Sequence, residues 1–99
     1  MTSQVFSGHK LFDLKATHGM PLGPAIDRII NFEGLTVTWG DFLATARSNG
    51  WYDFQTIEAV EAGLGDAGVD RAMRDEILQR LKVLIMRNPI EYANGMPAR

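Results

Sequence analysis

FDLKATHGMPLGPAIDRIINFEGLTVTWGDF, Phe12 to Phe42, decides the fold class, because its turn residues cut it into helices. Gly19 stands where a left-handed glycine closes a helix, and Pro21 forbids its continuation. Upstream, Ser7 is placed to cap that first helix, which carries Leu11, Phe12 and Leu14. Pro24 suits the first turn of a second helix with Ile26, Ile29 and Ile30 on one face, and Gly34 ends it. Thr38-Trp39-Gly40-Asp41 then has the form of a capping box with Asp in place of Glu. Val37 and Phe42 form the hydrophobic staple around it.

The same punctuation continues downstream. The third helix runs to about Ser48, where Asn49-Gly50 stops it. Asp53 is the expected cap of a fourth helix, with Tyr52 and Ile57 as its staple and Ile57, Val60 and Leu64 as its buried stripe. Gly63 reads as a weak point, since glycine costs ~1 kcal/mol against alanine inside a helix. Asp70 caps the longest helix, about Arg71 to Arg87, with Met73, Ile77, Leu81 and Leu84 on one apolar face. Asn88-Pro89 ends it, because a residue before proline is pushed out of the helical region. No apolar-polar alternation is long enough to predict a strand. The expectation is an all-α bundle of about five short helices, one domain over residues 1–88 with a loose tail over 89–99.

Composition removes several functions. At 99 residues, 45% apolar and 22% charged, the chain is an ordinary globular domain. It has no cysteine, which excludes disulfides, thiolate chemistry and the usual structural zinc. No apolar run approaches the ~18 residues of a membrane span, and MTSQVFSGHK lacks a charged-then-apolar leader, so a cytoplasmic protein is expected. The net charge of −2 disfavours a general nucleic-acid binder. Residues 51–76 carry seven acids against Arg71 and Arg74, whereas the chain beyond Ile77 is mildly basic. That distribution suits a protein partner, or a nucleic acid touched at one edge.

The chemical motifs are sparse. His9 and Asp13 share a helix face, with His18 beyond, but without an acidic cluster they read as surface imidazoles and not as a metal site. Ser3, Ser7 and Ser48 lack a nucleophile elbow. Asp75 and Glu76 are adjacent and so diverge on a helix. Gly63, Gly65 and Gly68 are not followed by the Lys-Ser/Thr of a phosphate loop. No enzyme and no cofactor are expected. A helix-turn-helix around Ala46 and Gly50 would put Glu58 and Glu61 into a phosphate-lined groove, which has the wrong sign. Trp39, Trp51, Tyr52 and Phe54 cluster at two helix starts. Most belong to the core, and any left exposed marks a partner site beside Glu58 and Glu61.

Phe12, Leu14, Thr17, Gly19, Pro21 and Leu22, followed by a helix and by Gly34-Leu35-Thr36-Val37 and Phe42, resemble a segment of alanyl-tRNA synthetases. That family has Phe-x-Leu-Tyr-Asp-Thr-Tyr-Gly-Phe-Pro-Leu, a helix, Gly-Leu-Thr-Val and a Phe-bearing helix. The two blocks match in order with about one residue of slip between them. In the family the segment lies in the helical region associated with acceptor-stem recognition. The family's Asp is here Ala16, its tyrosines are Lys15 and His18, and its second Phe is Met20. Residues 51–99 match nothing there, and the adenylation and editing-zinc motifs are absent. The resemblance implies tRNA-like binding at most, for which Lys10, Lys15, Arg71, Arg74 and Lys82 are the available cations.

The reading that follows is a non-enzymatic helical interaction module of adaptor or inhibitor type, in the style of a small phage or mobile-element accessory protein. It would bind a protein through Trp39, Trp51, Tyr52, Glu58 and Glu61. RNA binding is the alternative.

Overall fold

A computed structural model of the chain describes residues 4–87, so the expected domain end at residue 88 and the tail over 89–99 lie outside the described residues. The architecture is all-α, with five helices: α1 (Gly8–Ala16), α2 (Leu22–Ile26), α3 (Trp39–Ser48), α4 (Asp53–Asp66) and α5 (Arg71–Arg87). Two short strands that the sequence did not announce, β1 (Val5–Phe6) and β2 (Thr36–Val37), pair in parallel. Two residues are too few to show alternation, so only tertiary contact reveals them.

Most helix ends are where the cap residues put them. The Ser7 hydroxyl accepts from the N–H groups of His9 and Lys10 at 3.1 and 3.3 Å, satisfying two of the free donors at the start of α1. Gly19, at φ 68°, lets Met20 turn back and donate its N–H to the Leu14 carbonyl at 2.9 Å. A Cβ on Gly19 would meet nothing within 4 Å, so the only penalty of substitution is backbone strain. Gly19→Ala is therefore expected to cost ~1 kcal/mol and Gly19→Asn less, because asparagine tolerates that backbone region. Paired thermal melts check it.

Two expected caps are corrected. The Thr38 hydroxyl does not cap α3. It accepts the Gly8 N–H (2.9 Å) and donates to the Asp41 carboxylate (2.8 Å), so the group read as a local cap holds α1 against α3. Asp53 does not cap α4. Its carboxylate takes a bidentate pair from Arg47, Nε to Oδ1 and Nη2 to Oδ2 at 2.9 Å each, across the α3–α4 turn. The N-cap is Tyr52, whose N–H donates to Gln55 Oε1 at 2.7 Å, while Gln55 N–H donates to the Tyr52 carbonyl at 3.0 Å. Tyr52, expected in a staple with Ile57, is 43% exposed and stacks on Phe54.

The second helix is not uniform. After Ile26 it widens into a π-helical segment, Asp27–Phe32, in which Glu33 N–H reaches the Arg28 carbonyl at 3.0 Å. Each residue of a π turn advances less around the axis than in an α-helix. Ile26 and Ile29 stay buried while Phe32 is carried to the surface, 77% exposed. Asn31 pins the segment by donating to Asp27 Oδ1 (2.9 Å) and to the Ala67 carbonyl (2.8 Å) beyond α4.

The core lies where α1 packs on α3, α2 on α4, and α5 across both α3 and α4. Phe12 meets Phe42 and Trp51 edge-on, with centroids 5.6 and 5.1 Å apart, and Trp39 meets Phe42 in the same way at 5.8 Å. On α5, Leu81 is fully buried and Ile77, Leu78, Leu84 and Ile85 pack partly. Met73, expected on the apolar face, is 43% exposed, so the stripe is centred on Leu81 and shifted toward Leu78 and Ile85.

Gly63 acquires a reason. It faces α2, where a Cβ would come within 3.0 Å of Leu22 Cβ and 2.9 Å of Ile26 Cδ1. Alanine there gains ~1 kcal/mol of helix propensity but overpacks a close crossing, which typically costs ~1–3 kcal/mol. Gly63→Ala is expected to lower the denaturant midpoint, whereas a surface glycine so replaced would raise it.

Candidate interaction surface on the fourth helix

The residues marked out by sequence separate by burial. Trp39 is 4% exposed and belongs to the core, and Trp51 is half-buried against Phe12. Tyr52 and Phe54, by contrast, are 43% and 62% exposed. Their rings stack nearly parallel, 9° apart in plane with centroids at 5.7 Å. Phe54 is exposed by its place at the start of α4, opposite the buried Thr56, Val60 and Leu64.

Glu58 and Glu61 follow on the same face, four and seven residues after Phe54, and both are exposed. Neither makes an ion pair with another described residue. The surface is thus an exposed aromatic pair leading into two carboxylates that pair with no other described residue. It rests on a firm base, because the Arg47–Asp53 pair fixes the turn and Gln55 fixes the first residues of the helix.

The five cations of the RNA alternative do not form one such surface. Lys10 and Lys15 are on α1, exposed and half-buried respectively; Arg71 and Lys82 are exposed on α5. Both helices pack on α3, with little direct packing between them. Arg74 is half-buried, and its Nε is enclosed without an acceptor among the described residues.

Two further features lie elsewhere on the surface. An open groove of about 500 Å³ is lined by Phe6, Leu14, Met20, Ile29 and Phe32 together with Asp27, Arg28 and Glu33. Arg28 is engaged there, 3.1 Å from Glu33 and 5.3 Å from the centre of the Phe32 ring. The groove exists because the π turn swings Phe32 out, and nothing in the local sequence distinguishes that turn from α-helix. The second feature is a line of hydroxyl, imidazole and carboxylate: Thr45 Oγ1, His9 and Asp13. Thr45 Oγ1 lies 2.8 Å from the Asp41 carbonyl, to which it donates, and 3.2 Å from His9 Nδ1. His9 Nε2 stands 4.0 Å from Asp13, too far for a hydrogen bond. The group links α1 to α3 at the surface.

Among the described residues no three metal-binding side chains come together, and no helix is long and apolar enough to cross a membrane. Comparison of the chain with protein-family models, with curated proteins and with solved structures finds no match.

Proposed function

We propose that this protein is a small non-enzymatic interaction module that binds a protein partner through the Tyr52–Phe54 pair and the Glu58/Glu61 face of α4. The observation that carries the reading is the stacked pair itself. Two large rings held in the open have no part in the core, and exposed aromatic side chains are the usual anchors of protein interfaces. An inhibitor or an assembly adaptor acting in the cytoplasm, of the kind that phages and mobile elements carry as accessory proteins, fits such a surface. The test is affinity capture from the native cell with wild-type and Phe54→Ser bait, followed by mass spectrometry. A saturable partner held by wild type and lost by the variant is expected. Equal capture by both baits, or substrate turnover by the pure protein, overturns the reading.

The synthetase-like segment supports a second reading, tRNA-like RNA bound through Lys10, Lys15, Arg71, Arg74 and Lys82. Filter binding of tRNA over a salt series decides it, because phosphate contacts make affinity fall steeply with salt. Retention at low salt that Lys10→Ala and Arg71→Ala weaken would favour RNA; no retention removes it.

A further inference from the structure

We infer that the outward face of α4 is a receptor for an arginine-bearing segment of the partner, with a guanidinium stacked on the Tyr52–Phe54 pair and hydrogen-bonded to Glu58. This rests on the proposal that the face binds a protein, and goes beyond it by fixing the chemistry of what binds. A stacked aromatic pair presents a face of negative potential, which attracts cations lying flat on the ring. One helical turn further, Glu58 supplies an exposed carboxylate on the same face, and Glu61 supplies another. A purely apolar occupant would strip water from both carboxylates and return nothing. An anionic occupant would be repelled by them, and more broadly by the seven acids that residues 51–76 carry against two arginines. A cation satisfies the ring and the carboxylate together. Between the two basic side chains, the guanidinium fits better: it is planar, so it lies along the ring, and its fork of N–H donors matches a carboxylate while the stack is kept. Lysine offers a point charge that must choose between the two. A second arginine three or four residues along the partner then reaches Glu61.

The experiment uses three capped alanine-based peptides carrying, at positions three apart, two arginines, two lysines or two citrullines, titrated into the ¹⁵N-labelled protein. Citrulline keeps the planar shape and loses the charge. The arginine peptide should shift the amides around Tyr52, Phe54, Glu58 and Glu61. The lysine peptide should bind several-fold more weakly and the citrulline peptide not at all. Glu58→Gln should weaken the arginine peptide by about threefold, as expected for an exposed ion pair, and added salt should weaken it further. Phe54, Glu58 and Glu61 are all on the surface, so the variants are expected to fold, which their unchanged spectra elsewhere would document. Equal binding of arginine and citrulline peptides, shifts centred on the Phe32 groove, or no shift at millimolar arginine peptide each overturn the inference. Capture of the natural partner that depends on Phe54 but is indifferent to Glu58→Gln and Glu61→Gln would overturn it too, while leaving the protein-binding reading intact.

Discussion

Gly8→Ala is expected to destabilise the protein by about 3 kcal/mol or more, the largest effect of any single added methyl group. Gly8 is buried at the first position of α1, where a Cβ would strike the Thr38 carbonyl oxygen and the Phe42 amide nitrogen and lie 3.0 Å from Phe42 Cα. All three obstacles are backbone, so no side chain can rotate aside. α1 would have to lift from the start of α3, at an overpacking cost of ~1–3 kcal/mol or beyond. The Gly8–Thr38 hydrogen bond would stretch as well, for roughly another 1 kcal/mol. A domain of this size holds only ~5–15 kcal/mol, and each kcal/mol moves the melting point by about 4–8 °C. Thermal melts should show the variant lower by more than ~10 °C, or unfolded. Gly40→Ala is the internal control. There a Cβ meets only Leu84 Cδ1 at 3.8 Å, and helix propensity should leave stability equal or slightly higher. Similar melting points for the two variants would show that α1 and α3 do not cross as described.

The second large effect is Leu81→Ala, expected to cost ~2–5 kcal/mol, the usual range for truncating a buried leucine. Leu81 is fully buried, the one buried residue of α5, and α5 packs on α3 and α4. Met73→Ala on the same helix should cost far less, because Met73 is largely at the surface. Urea midpoints of the two variants, measured side by side, separate a stripe centred on Leu81 from the evenly buried Met73-Ile77-Leu81-Leu84 face that periodicity predicts. Equal midpoints would favour the even face.

What could be read from sequence was the local chemistry of helix ends. Ser7 and Gly19 act within a few residues of themselves, so their roles are written beside them. Thr38 and Asp53 have good capping side chains, but competing partners engage them: Gly8, 30 residues away, for one, and Arg47, 6 residues back across the α3–α4 turn, for the other. The β1–β2 pair and the Gly23 and Gly63 approach between α2 and α4 are contacts between segments far apart in the chain. At the candidate surface, composition located the aromatic cluster and the acids, but only packing could sort Trp39 inward and Tyr52 with Phe54 outward. The Phe32 groove escaped entirely, because the π turn that makes it leaves no residue signature.

If the α4 face led by Tyr52 and Phe54 meets the partner, as proposed, the partner covers that segment in the complex. Hydrogen exchange measured on the complex with the captured partner tests it most directly, since exchange reports which backbone segments the partner covers. Added protection is expected over residues 52–62, with α1 and the Asp27–Phe32 segment unchanged. Protection centred on α1, on α5 or on the Phe32 groove, with residues 52–62 exchanging as in the free protein, would contradict it.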